Sequence, residues 1–316
     1  MQLNAEDLIQ RRRLQRRITF WRIFAILAVV GVVAALLYKS GIPLAHQQHI
    51  ARVNISGVIT DDAAQRKLLD KLAEANTVKA VILHIDSPGG TTTGGEALYE
   101  TLQNLRKKKP VIGVFGTIAT SAAYIAGLGT DHIVSRGNTI TGSVGVIFQW
   151  AEVTQLLDTV GVKMNEVKSG TLKATPSPFA PLDDNGKQLV QEMVADANQW
   201  FLDLVQTRRK LDPSSVPGLT EGRIYSGRQA LKLKLVDEIG GEDKALAWLK
   251  NKKGISDSLE IIDWEVEQDG ELSILSRVSA FALYFLGLSP EAVQKLLSKH
   301  LHVQKLSLNG LVSIWK

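Results

Sequence analysis

The stretch Val78-Lys79-Ala80-Val81-Ile82-Leu83-His84-Ile85 does most to limit what this chain can become. It is rich in β-branched residues, and its apolar positions run nearly without break instead of alternating, the pattern of a strand buried on both faces. It closes on Asp86-Ser87-Pro88-Gly89-Gly90, and a helical pattern follows to about Arg106. Such a strand needs cover on both sides, so an α/β fold with largely parallel strands is expected. The same alternation recurs along the chain. Strand patterns fall on Ile50–Thr60, Pro110–Phe115, His132–Ser135, Gly142–Phe148 and Met164–Val167. Helical patterns run to Ala75 behind an Asp61 or Asp62 cap, and over Ala122–Leu128, Glu152–Val160, Asp183–Lys210, from Ser226, and over Lys244–Lys250.

Charge is distributed unevenly. The first 22 residues carry six arginines against Glu6 and Asp7, whereas the rest of the chain balances 31 basic residues against 30 acidic ones. A basic body for nucleic acid is therefore not expected. The uncharged run Ile23–Tyr38 follows those arginines and, extended back to Ile18, reaches the roughly 20 residues that cross a bilayer. Arginines before it and a single Lys39 after it predict a cytoplasmic N-terminus and a main body on the periplasmic or extracellular side of the inner membrane. Gly41–His46 offers no small-x-small cleavage pattern, so the helix reads as a retained anchor. The expected layout is a basic tail (1–17), an anchor (18–38), a linker (39–48), a main domain (49–255) and a C-terminal extension (256–316). In the extension, Val278–Leu288 is apolar but too short to span, and Asn309-Gly310 is a hairpin-turn signal between Gln304–Leu308 and Leu311–Trp315.

Three segments carry candidate chemistry. The Asp86–Gly90 stretch lies where α/β sheets hold ligands, and its glycines could bring backbone N–H groups to an oxyanion or simply make a tight turn. Ser121 precedes the helix Ala122–Leu128; it is either a nucleophile with its own N–H and that of Ala122 nearby, or a helix cap. Lys173, in Lys168-Ser169-Gly170-Thr171-Leu172-Lys173, is either the base of a Ser/Lys pair or a solvated charge. Ser143, in Thr141-Gly142-Ser143-Val144, could orient a lysine amine or satisfy a turn. Asp131-His132 supplies the types for a Ser-His-Asp triad, but His132 opens an apolar strand on the far side of the Ser121 helix, so it reads as structural. The chain has no cysteine, the histidines lack metal-ligand spacing, and no phosphate loop or dinucleotide fingerprint appears, so neither metal nor cofactor is expected.

Asp86–Gly90, Thr120–Ala126, Thr141–Val146, Lys168–Phe179, and Ser226–Ala230 with Leu235-Val236-Asp237 together resemble the signal peptide peptidase A family of membrane-anchored Ser/Lys peptidases. The resemblance spans about residues 49–249. It implies a ClpP/crotonase-like spiral of βα units, Ser121 as nucleophile, Lys173 as general base and Ser143 as the hydroxyl that orients the lysine. One N–H of the Gly89-Gly90 pair and that of Ala122 would form the oxyanion hole. The family typically has two glycines after the serine; this chain has Ala122-Ala123, which keeps the N–H donors and narrows the backbone angles. The resemblance further implies a homo-oligomer that completes its sites between neighbours, with Val278–Leu288 in an interface. Its substrates would be remnant signal peptides and similar apolar peptides. The alternatives are a non-catalytic membrane assembly scaffold and, from the same fold family, an acyl-CoA enzyme.

Overall fold

The computed structural model of the chain describes residues 16–24, residues 48–266 and the backbone of 312–314. Residues 16–24 are helical and their side chains are exposed. The rest of the expected anchor, and the Val278–Leu288 stretch, lie outside the described residues. Among the described residues, no helix is long and apolar enough to cross a membrane.

One nine-stranded mixed sheet organises residues 48–266. Strand β1 (His49–Ile59) is followed by helix α1 (Ala63–Glu74), β2 (Val78–Thr91), α2 (Thr92–Lys108), β3 (Val111–Thr120) and α3 (Ala122–Leu128). Then come β4 (His132–Ser135), β5 (Ile140–Gly142), α4 (Thr154–Thr159), the 26-residue α5 (Asp184–Arg209), β6 (Ile224–Ser226) and α6 (Gly227–Lys232). Strand β7 (Glu238–Ile239), α7 (Glu242–Lys253), β8 (Glu260–Asp263) and β9 (Val312–Ile314) complete the order. The pairings β8-β1-β2-β3 are parallel, as are β3-β4, β3-β5 and β4-β7, whereas β5-β6 and β2-β9 are antiparallel.

Strand β2 is buried on both faces, as its composition predicts. Val81, Leu83 and Ile85 join one core with Leu69, Leu102 and Phe201, from α1, α2 and α5. Ala80 and Ile82 join another with Ala245 and Leu249 of α7. Asp62 caps α1, accepting from the N–H groups of Ala64 and Gln65. Ser226 closes a capping box with Gln229 at the start of α6.

Two expectations need correction. The Pro88-Gly89-Gly90 segment is not a loop beyond the strand, because β2 continues through it to Thr91. Its pairing with β1 reaches Ile59↔Gly90, so the glycines remain in the sheet. The strand expected over Gly142–Phe148 is only β5, which ends at Gly142, and none forms over Met164–Val167. Beyond Gly142 only an isolated bridge forms, at Ile147, and Ile147, Met164 and Val167 are exposed, so apolar content without a continuous partner strand made no ladder.

Helix α3 is buried along its whole length and clamped at its C-terminal end by α5. Arg208 donates from Nε to the Leu128 carbonyl (2.7 Å) and from Nη2 to that of Thr130 (2.8 Å), a cation set against the negative end of a helix. Next to it, Arg209 makes a two-pronged pair with Asp237, which also accepts from the Ile133 N–H (2.8 Å). Burial opposes ionisation of Asp237, but the Arg209 guanidinium and the Ile133 N–H outweigh it and hold the carboxyl below its ordinary range. An Asp237→Asn variant should lose about 1–3 kcal/mol of stability at neutral pH. Because the folded-state value is depressed, that contribution is complete above the unfolded carboxylate range near pH 4 and fades as pH falls through the folded one. Denaturation midpoints of both proteins from pH 7 to pH 3 should therefore converge on the acidic side. A constant gap would remove the ion pair as its cause.

Candidate active site

Strand β3 changes partners along its length, and this places Ser121. Residues 112–115 pair with β4, whereas Ile118–Thr120 pair with β5. Between the two halves, Asp86 of β2 accepts from the Ile118 N–H (3.0 Å) across a register shift between Ile85 and Ser87. Thr120 donates its hydroxyl to the Pro88 carbonyl (3.0 Å), and Thr141 donates to that of Ala119 (2.7 Å). Three side chains thus tie the end of β3 to both neighbouring strands.

Ser121 comes immediately after. It is buried, with 1% of its surface exposed, and has φ 58° and ψ −120°. An L-residue holds such angles only where its surroundings impose them, at a cost on the order of 1–3 kcal/mol. Its side chain does not cap α3, which removes the cap reading. Its own N–H is also unavailable to an oxyanion, because it donates to the Gly142 carbonyl (2.9 Å). Ala122 opens α3 and supplies one of the donors that a helix start leaves without an intrahelical acceptor. The result is a buried serine on a strained strand-to-helix turn beside free-ended helix donors, the local geometry of a nucleophile elbow.

The remaining candidates divide. Gly142 (φ 88°) and Ser143 (φ 53°) continue the strand that binds the Ser121 N–H, and the Ser143 N–H donates to Arg223 (2.9 Å). The structure therefore brings Ser121 and Ser143 to adjoining strand ends. Gly89 (φ 110°) and Gly90 lie on β2 next to the end of β3; the Gly89 N–H donates to the Ser87 hydroxyl (3.1 Å). A β-carbon at Gly90 would stand 1.7 Å from the Ile59 carbonyl oxygen, so only glycine allows this approach of β1. Lys173 is not gathered in. It is exposed, in a turn whose N–H bonds back to Gly170 (3.1 Å). Among the described residues, no hydrogen bond joins it to Ser121.

His132 pairs with Ile112 near the start of β3, whereas Ser121 follows its end, so the two stand roughly 30 Å apart along the strand. His132 stacks on Trp248 (centroids 5.0 Å) and faces Asp237 and Glu238. It takes no part in a triad with Ser121. Asp86, Thr120 and Thr141 are the site residues that sequence reasoning missed. The one available signal was a carboxylate and two hydroxyls at the ends of otherwise apolar strands.

A model of peptidase family S49 matches residues 103–256, and a Clp protease model matches residues 45–137. A protein of Synechocystis sp. that bears a protease name is 33% identical over 217 residues, covering 68% of this chain and 78% of that one. An Enterococcus faecium protein that bears the name signal peptide peptidase SppA is 31% identical over 240 residues, covering 72% and 70%. Protease 4 of Haemophilus influenzae is 31% identical over 239 residues, 72% of this chain and 39% of its own.

Proposed function

Because this chain belongs to peptidase family S49 and is a serine protease, we propose that it is a membrane-anchored endopeptidase that cleaves remnant signal peptides and similar apolar peptides with a Ser/Lys dyad. The observation that carries the reading is the strained, buried Ser121 between β3 and α3, at a helix start that its side chain does not cap.

Ser121 attacks the peptide carbonyl, and its hydroxyl proton passes to the amine of Lys173. The oxyanion is held by one N–H of the Gly89-Gly90 pair and that of Ala122. Lys173 returns the proton to the leaving amine as the C–N bond breaks. Water, giving a proton to Lys173, then attacks the acyl-enzyme; as the ester C–O bond breaks, Lys173 passes that proton to the Ser121 oxygen, and the product leaves as a carboxylic acid that ionises in solution. Ser143 orients the lysine amine.

A buried Ser121 and an exposed Lys173 on one chain favour a site completed between subunits. The segment that bears Lys173 exposes Ile147, Leu156, Val160, Met164, Val167 and Phe179, an apolar surface suited to a second copy. The anchor reading rests on the Arg-rich start and the run Ile23–Tyr38.

The test is cleavage of a fluorogenic, signal-peptide-like apolar peptide by the full chain in detergent. Turnover of this peptide, with a charged soluble peptide of equal length cut at least tenfold more slowly, is the expected result. Absence of cleavage across varied apolar peptides would overturn the proposal and favour the scaffold.

A further inference from the structure

Just before the site, β2 and β3 lose their common ladder. Ile85 pairs with Phe115 and Ser87 with Ala119, so Asp86 alone stands opposite Gly116, Thr117 and Ile118. Strand β3 therefore bulges here, and a bulge bends its strand and re-aims the side chains beyond it. Those side chains are Thr120 and Ser121. Backbone groups in a bulge forgo ladder partners, and two side chains take their place. Asp86 Oδ1 accepts from the Ile118 N–H (3.0 Å), and Thr139 donates its hydroxyl to the Gly116 carbonyl (2.6 Å). The Asp86 carboxylate lies over Gly116, where a β-carbon would stand 2.9 Å from its Cγ, so the seat admits no side chain.

We propose that Asp86 is a positioning residue: by holding the Gly116–Ile118 bulge it sets the spacing between the Ser121 hydroxyl and the backbone donors of Gly89-Gly90. The inference rests on the peptidase reading given above. The donors belong to β2 and the nucleophile follows β3, and Asp86 is the tie between these strands where their ladder is missing. The two apolar cores do not include Asp86, and its half-buried place lets water reach the Ile118 N–H once the carboxylate is gone. A variant at this position should therefore fold, with the end of β3 less firmly placed. A displacement of about 1 Å between reacting groups costs on the order of 10²-fold in rate.

The experiment compares Asp86→Ala, Asp86→Asn and Gly116→Ala with the wild-type full chain in detergent, well below each melting midpoint. Asp86→Ala should lower kcat about 30- to 100-fold with KM unchanged within about twofold. Asp86→Asn keeps an oxygen acceptor of the same shape and should stay within about fivefold of wild type. Gly116→Ala keeps the aspartate but pushes its carboxylate aside, and should lose as much as Asp86→Ala. A small fluorophosphonate, whose fluoride the Ser121 oxygen displaces, gives a second readout. Its labelling of Ser121, located by mass spectrometry, should slow by a similar factor in Asp86→Ala and Gly116→Ala. Wild-type kcat in Asp86→Ala, a loss carried by KM, or an equal loss in Asp86→Asn would overturn the inference and leave the peptidase reading intact. If no protein cleaves peptide, the function proposal fails and the labelling rates decide. Equal labelling of wild type and Asp86→Ala, or no labelling of Ser121 in any protein, would then overturn the inference.

Discussion

Replacing Ser121 by alanine is expected to remove peptide hydrolysis, a fall in kcat of about 10⁴-fold or more, at a stability cost of about 1 kcal/mol. The size of the loss follows from the role: no other described hydroxyl sits on a strained turn at a helix start, so water would have to attack unaided. A second substitution reads the strain itself. Glycine adopts φ 58° without steric penalty, so Ser121→Gly should be as inactive as Ser121→Ala but more stable than it by about 1 kcal/mol. Denaturant midpoints for the two variants check this. Activity within tenfold of wild type in Ser121→Ala would exclude the serine as nucleophile.

The second large effect concerns Lys173. Lys173→Ala should lower kcat at least 10³-fold with an unchanged melting temperature, because an exposed side chain in a turn contributes little to folding. What separates a base shared between subunits from one used within its own chain is a mixing experiment. Ser121→Ala and Lys173→Ala proteins, each inactive, are co-expressed and purified together. In a head-to-tail assembly, about one quarter of the sites then combine an intact serine with a neighbour's intact lysine, and about that share of activity returns. Activity that stays at the level of either variant alone would show that the lysine acts in cis, or not at all.

Much of this fold was legible in the sequence because its signals are local. The β-branched run of β2 needs burial on both faces wherever it occurs, and α3 and β4 were bounded correctly by the residues around them. The errors fell where the outcome depends on partners distant in the chain. Pro88-Gly89-Gly90 reads as a turn, yet it stays in the sheet because β1 pairs with it to Ile59↔Gly90, an approach so close that a β-carbon at Gly90 would not fit. Gly142–Phe148 has the apolar content of a strand, but beyond Gly142 it makes only an isolated bridge at Ile147 and no continuous ladder. Ser121 shows the same limit at the site. Its cap-like position is visible in the sequence, whereas its backbone angles, set by ties from Asp86, Thr120 and Thr141, are not.

The Gly89–Thr91 edge also sorts proteins by their state rather than by their sequence. The three-residue ladder that β9 makes there can be formed only by polypeptide that is already extended. A helix or a paired strand must first open locally, and every 1.4 kcal/mol of that opening cost lowers the fraction able to pair there about tenfold.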